Sequence, residues 1–477
     1  MRETLALVLA GGEGKRLYPL TRERSKPAVH FGGRYRLIDF VLSNLVNSGF
    51  QRIKVLTQYR ATSLVRHLAR AWTLASTVVD EFIEPVPAAM NIGPTWFRGT
   101  ADAIWQNLDL LRDVRPVDVL VFGSDHVYKM DVSQMLEFHR GMGADLTVAT
   151  LRVPRSEARA FGCLHVDSSG WVQGFVEKPD DPPAIPGDPD HTLVSMGNYI
   201  FRTGTMLAEL RRNAELTDTS HDFGRDILSF AHERVKVAAY DYMTQLCPGE
   251  DEHARGYWRD VGTLDAFFET NMDLVSVNPH LNLYNDMWPI RGVIGGGGPC
   301  KFVFADEEDG RVGSAVDSIV GSGTIISGGH VDRSVIFNNV RVNSFSSVAD
   351  SILFPGVSVG RNARLLRREA IPTGDLLRRL DSRWKVMIVG DAAMHPAELL
   401  EPNGNIDPRR GTPTRGIDWL HRIKDHFERA VWLNPEPQSE WQRTHTVRVI
   451  ERVFPMFHLS VDGISEAVSA LIGARPH

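Results

Sequence analysis

Gly11, Gly12 and Gly14 follow directly on an apolar run, Leu5 to Ala10, and Arg16 and Lys26 come next. Glycines just after a strand let the backbone turn sharply and present its N–H groups to phosphate oxygens. Arg16 adds a fixed cationic fork and Lys26 a mobile ammonium. The plainer alternative is a flexible turn with solvated cations. The loop is not of the dinucleotide or Walker type, because GGEGKR lacks the GxGxxG spacing and no GK[ST] follows. Asp125 stands in GSDH, where another apolar run ends. A carboxylate there is costly unless it meets solvent, a cation or a metal, although a helix cap or loop aspartate would also satisfy it. Glu177 and Lys178 close a further run, FVEKP, and as an isolated pair would usually be a solvated surface pair.

These residues need elements to hold them. Leu5–Ala10 has no helical stripe and reads as a buried parallel strand. IDFVLSNLVNSG has helical spacing and stops at Gly49. RIKVLTQ, DVLVFGSDHVY, DLTVATLRV and NYIFRT read as strands, and LVRHLARAW as a helix. WFRGTADAIWQNLDLL is a turn entering a helix, with Thr100 as its expected cap. Strands separated by helices imply a doubly wound, mostly parallel α/β sheet. Ligands of such sheets lie beyond the carboxyl ends of the strands, where the glycine loop and Asp125 both fall.

The bulk properties suit an enzyme. A chain of 477 residues has room for about two or three domains, and 43% hydrophobic with 23% charged residues is ordinary for globular proteins. A net charge of -6 argues against a nucleic-acid partner. Cys163, Cys247 and Cys300 are far apart and odd in number, so neither a disulfide framework nor a cysteine metal site is expected. A cytoplasmic location and no membrane association are the expectation, since no leader or long apolar span is visible.

The glycine loop and the longer string SKPAVHFGGRYRLIDFVLSN resemble the sugar-nucleotide pyrophosphorylases, and among them the glucose-1-phosphate adenylyltransferase family. The resemblance covers residues 5 to about 365 and is carried by whole blocks of sequence. It implies that ATP lies along Leu9, Ala10, Gly11, Gly12 and Gly14, with Gly99 and Thr100 on the other side. It implies that Phe97, Gly162, Glu177, Lys178 and Ser195 hold glucose 1-phosphate. Many members have Tyr at the position of Phe97, so a hydroxyl contact is absent here. Asp125 and Asp260, the latter in YWRDVGT, match the family's magnesium ligands, and hard oxygen donors beside phosphates suit Mg²⁺. Arg16, Lys26, Asp125 and Lys178 are the implied catalytic residues, and His126 is read as packing or orienting. A UTP- or dTTP-dependent relative, or a non-catalytic regulatory subunit, are the alternatives. Retention of Arg16, Asp125 and Lys178 favours the enzyme.

From about Pro289 the pattern changes. Ile319, Ile325, Val331, Phe337 and Val342 recur about every six residues, the mark of a left-handed parallel β-helix. The expected organisation is a nucleotidyltransferase domain at 1–275, a linker and truncated β-helix at 276–372, and a C-terminal α/β segment at 373–477. That last segment resembles the C-terminal part of a bacterial von Willebrand factor A-like domain. It lacks the DxSxS motif, so adhesion through a metal is not expected.

The resemblance also implies a homotetramer tuned by glycolytic intermediates at the junction of the N-terminal loop and the β-helix. The lysine that binds activator in members using fructose 1,6-bisphosphate aligns with Glu23. A carboxylate there repels a bisphosphate. Initial rates titrated with fructose 1,6-bisphosphate should therefore show weak activation or none, and several-fold activation at sub-millimolar effector would contradict the alignment. Arg16, Arg22 and Arg24 remain available to another anion.

Overall fold

The computed structural model describes residues 3–73, 81–89, 95–293, 297–303, 305, 306, 308 and 310–366, and the strand Ile388–Val389. The apolar run near the N-terminus is β1 (Thr4–Ala10), and it lies at the middle of a nine-stranded sheet. Two short strands follow, β2 (His30–Phe31) and β3 (Tyr35–Arg36). Then come β4 (Arg52–Thr57), β5 (Phe82–Pro87), β6 (Asp118–Gly123), β7 (His126–Tyr128) and β8 (Leu146–Pro154). The chain continues through β9 (Gly162–Val166), β10 (Val172–Glu177), β11 (His191–Arg202), β12 (Val237–Asp241) and β13 (Trp258–Asp260).

The sheet order is β10-β9-β11-β6-β1-β4-β5, with β8 joining β11 to β12. β6, β1, β4 and β5 run parallel, as the strand–helix alternation predicts. β11 departs from it and runs antiparallel to β6, β8 and β9. Helices α1 (Leu37–Asn47) and α2 (Thr62–Ala71) follow β3 and β4. The segment after Gly99 is two helices, α3 (Thr100–Trp105) and α4 (Asp109–Val114), rather than one.

α1 starts where it does because of a fully buried aspartate. Asp39 Oδ2 accepts the Arg36 backbone N–H at 2.8 Å, which closes a capping box. Asp39 Oδ1 accepts His67 Nε2 at 2.6 Å and Trp72 Nε1 at 2.8 Å, both from the α2 region. One carboxylate thus fixes the start of α1 and docks α2 on it.

Residues 301–366 wind into a parallel β-helix of three short sheets. Ser314 pairs with His330, His330 with Ser347 and Ser347 with Arg364. The same advance of 16 or 17 residues separates Ser318 from Ser334 and Ser327 from Ser344. Three sides to each coil give the near-six-residue beat seen in the sequence. Corner residues such as Asp317, Arg333 and Asp350 take positive φ at the same interval. Pairing also goes beyond the point where the beat fades, since Ile388–Val389 aligns with Ile352–Leu353. The rest of the 373–477 segment, with its expected α/β pattern, lies outside the described residues.

One apolar cluster joins the two parts. Phe31, Phe40, Val261 and Phe267 pack with Ile326, Val331, Phe337 and Phe354. Phe354 stacks on Phe337 with centroids 5.4 Å apart, and His30 meets Phe337 edge-on at 5.8 Å. Burial pushes the His30 imidazole well below its ordinary range, and the nearby Arg36 and Arg24 charges add to this.

Asp39→Ala should cost about 2–4 kcal/mol, because it removes a helix cap and leaves buried His67 and Trp72 donors without an acceptor. Urea unfolding of the variant checks this, and a cost of only a few tenths would show that water substitutes for the carboxylate.

Candidate active site

At the carboxyl ends of β1 and β6 the surface opens into a cleft of about 820 Å³. Every candidate site residue named from the sequence lines it. The glycine loop leaves β1 at Ala10, and Gly14, at φ +66°, caps a short helical turn over Lys15–Leu17. Its carbonyl accepts the Thr21 hydroxyl at 2.9 Å, which closes the loop against the segment leading to Lys26. Ser124 donates to the Leu9 carbonyl at 2.6 Å and ties the loop after β6 to the end of β1.

Lys26 is the meeting point. Its Nζ lies 2.9 Å from Asp125 Oδ2 and 3.1 Å from Asp260 Oδ1. Burial works against the ammonium, but the two carboxylates more than offset it and hold the group above the ordinary lysine range. Burial alone would also raise the Asp125 carboxyl. The adjacent His126 and Lys26 outweigh it and keep the carboxyl well below the usual range.

β13 delivers Asp260 by pairing antiparallel with β7, with Asp260 opposite His126. Asp125, His126 and Asp260 each offer a ligand atom, all within 4.8 Å of one another. The His126 ring packs on Trp258 with centroids 4.8 Å apart, in keeping with a packing role, while its Nδ1 is buried without a partner. Arg16 Nη2 reaches the same corner, beside Gly262 and Asp260.

The opposite end is built differently. Gly162 is required by close approach: a Cβ there would stand 2.3 Å from Phe175 Cζ and 2.9 Å from Glu177 Oε2. The glycine therefore lets the Glu177 carboxylate turn into the cleft. Lys178 follows with φ +50°, uncommon for a non-glycine residue, and its Nζ is 3.4 Å from Glu177 Oε1 with the side chain exposed. Ser195 accepts the Gly197 N–H at 3.2 Å and lies 3.5 Å from the Tyr199 hydroxyl.

One expectation changes at the loop before α3. Gly99, not Thr100, is the N-cap, and the Thr100 hydroxyl turns across the cleft to Asp222. Phe97 is held by its backbone, through N–H to Gln58 Oε1 at 2.7 Å and Gln58 Nε2 to its carbonyl at 3.2 Å. Its ring leans on the core beside the sheet. Gln58, Tyr199, Asp222 and Trp258 line the cleft without having been picked out as site residues. A polar residue directly after a buried strand marks Gln58 in the sequence, and the SHDFGRD block marks Asp222. Asp222 also caps its own segment, accepting Gly224 and Arg225 N–H groups.

The Asp125 carboxyl titrates lower in the folded chain than its ordinary 3.8. It therefore stabilises the fold above that value, and the contribution is lost as pH falls through the folded value. Lys26→Met should lower Tm at pH 7 by roughly 3–6 °C, since it leaves two neighbouring carboxylates unpaired. The gap should narrow toward pH 4 as Asp125 protonates in the variant. A gap independent of pH would mean that Lys26 supports the fold by packing alone.

The nucleotidyl transferase family profile matches residues 5–277, and a GlmU-like C-terminal hexapeptide profile matches residues 298–371. A glucose-1-phosphate adenylyltransferase of Anaeromyxobacter sp. is 52% identical over 368 residues, 77% of this chain and 89% of the relative. The protein of that name from Mycolicibacterium smegmatis is 53% identical over 364 residues, 76% and 88% of the two chains. That from Corynebacterium glutamicum is 51% identical over 360 residues, 75% and 86%.

Proposed function

The chain belongs to the glucose-1-phosphate adenylyltransferase family, and from that premise we propose how its cleft performs the reaction. The enzyme transfers the adenylyl group of ATP to α-D-glucose 1-phosphate, forming ADP-glucose and pyrophosphate for glucan synthesis. The observation that carries the residue assignments is the pair Asp125 and Asp260, standing between the glycine loop and Lys178 in one cleft.

ATP lies along Leu9 to Gly14, with Gly99 on its other side and its phosphates toward Arg16 and Lys26. Glucose 1-phosphate occupies the end formed by Gly162, Glu177 and Ser195. There the Glu177 carboxylate accepts sugar hydroxyls, and Lys178 faces the phosphate as a point charge. A phosphate oxygen of the sugar attacks the α-phosphorus in line. The bond from that phosphorus to the bridging oxygen breaks, and pyrophosphate leaves with the electron pair. The attacking phosphate is already anionic, so no protein base or nucleophile is needed. Positioning and charge stabilisation carry the rate.

Asp125 and Asp260 would hold Mg²⁺. The fit is supported by two carboxylates close enough to share one cation, as Lys26 already shows, and by their hard oxygen donors. The ion would supply neutralisation of phosphate charge at the reacting centre.

No helix among the described residues is long and apolar enough to cross a membrane. An ATP substrate and three unpaired cysteines support a cytoplasmic enzyme. A homotetramer is the assembly we infer. Exposed Val277, Tyr284 and Met287 support contacts beyond one chain.

Purified protein with Mg²⁺ should form ADP-glucose and pyrophosphate from ATP and glucose 1-phosphate, and Lys178→Gln should chiefly raise the KM for the sugar phosphate. Turnover with UTP but not ATP would overturn the adenylyl assignment. A raised KM for ATP with an unchanged one for the sugar would put Lys178 on the wrong ligand.

A further inference from the structure

The loop on the nucleotide side of the cleft and the loop on its sugar side are joined by one hydroxyl. Thr100 Oγ1 donates to Asp222 Oδ2 at 3.0 Å and accepts the Phe223 backbone N–H at 2.9 Å. Next to it, the Ala101 N–H donates to the His221 carbonyl at 2.8 Å. Gly99 is pressed onto the same backbone, where a Cβ would lie 2.3 Å from the carbonyl oxygens of both Ser220 and His221. His221 is itself at φ +52°, a conformation held by its ring bond to Asn213 at 2.9 Å. The contact is therefore a built joint with a steric fit, a backbone bond and a side-chain bond.

We propose that Thr100 is a positioning residue that couples the two substrate half-sites, by orienting the Asp222 carboxylate at the sugar end from the loop that borders the nucleotide. The proposal rests on the reading of the cleft given above. Asp222 lines the cleft with Glu177, Lys178 and Tyr199. Its Oδ1 is occupied by the Gly224 and Arg225 N–H groups at 2.9 and 3.2 Å. Its Oδ2 takes the Thr100 proton and keeps a second lone pair for a sugar hydroxyl. The carboxylate plane is thus set from both sides, and one of those sides belongs to the nucleotide loop.

The Thr100 hydroxyl has a single proton, and that proton is committed to Asp222, so this group is not free to donate to a nucleotide. It acts on the sugar instead. A nucleotide that orders Gly99 and Thr100 also orders Asp222, and the sugar phosphate then binds with less left to immobilise. Linkage makes the effect reciprocal. Asp222 would adopt other orientations without the hydroxyl, and nucleotide binding would no longer be felt at the sugar end.

The test uses the full chain with Mg²⁺. Affinity for glucose 1-phosphate is measured by calorimetry with and without α,β-methylene-ATP, in the wild type and in Thr100→Val, Thr100→Ala and Thr100→Ser. In the wild type the nucleotide analogue should tighten sugar-phosphate binding. Loss of one hydrogen bond to a charged group should weaken sugar-phosphate affinity about tenfold in the presence of the analogue, in both Val and Ala variants. The tightening by the analogue should vanish, and Ser should restore it. The proposal is overturned if Val and Ala keep the coupling, if Ser is as impaired as Val, or if only nucleotide affinity falls. It is also overturned if a wild type that makes ADP-glucose shows no coupling. A wild type that makes no ADP-glucose overturns instead the underlying reading of the cleft.

Discussion

Lys26 lies between two carboxylates that reach it from distant parts of the chain, Asp125 at 2.9 Å and Asp260 at 3.1 Å. Two half-buried carboxylates side by side repel each other. The ammonium offsets that repulsion and helps keep the Asp125 carboxyl well below its usual range. The arrangement constrains much of the fold. β1 and the glycine loop must end beside β6, the short β7–β13 pair must exist to bring Asp260 opposite His126, and the Lys26 turn must fold back under both.

That turn is held from outside the sheet. Lys26–Ala28 is followed at once by His30 and Phe31, whose rings contact Phe337 of the β-helix and Phe267 of the last helix before it. Arg24 Nη1 donates to His30 Nδ1 at 2.9 Å, which requires that nitrogen to be unprotonated, in line with the depressed titration of the buried ring. Gly33 is pressed against Ile319 Cγ2. The β-helix is therefore part of the wall behind the turn that carries Lys26.

The legible parts of the sequence were those with local causes. The β1 run, the glycine loop, the stop at Gly49 and the near-six-residue beat each follow from propensity or period, and all are present. Asp125 was readable because a charge ending an apolar strand needs a partner, whereas Asp260 was named only through the family resemblance. Identifying Lys26 as that partner required the fold, since the residues are 99 and 234 positions apart. Thr100 shows how a local rule fails. A threonine entering a helix is ordinarily a cap, but here the Asp222 carboxylate lies within reach and outcompetes the helix N–H groups. The direction of β11 was equally invisible, because an apolar strand reads the same in either sense.

That reversal has a consequence for the chemistry. A parallel strand brings only its carboxyl end to the cleft, but β11 runs the other way and must offer its middle. It does so through a break in register: Ser195 pairs with Thr150 and Tyr199 with Val148, so extra residues bulge from β11 between them. Gly197 turns the bulge at φ +75°, and its N–H pins the Ser195 hydroxyl. Asn198 drops inward to donate to the Tyr128 hydroxyl at 3.0 Å, in the core beneath Asp125. One irregularity thus sends Ser195 and Tyr199 to the cleft wall beside Glu177 and a supporting amide under the acidic centre. That end of the cleft consequently depends on backbone that regular pairing would have turned away.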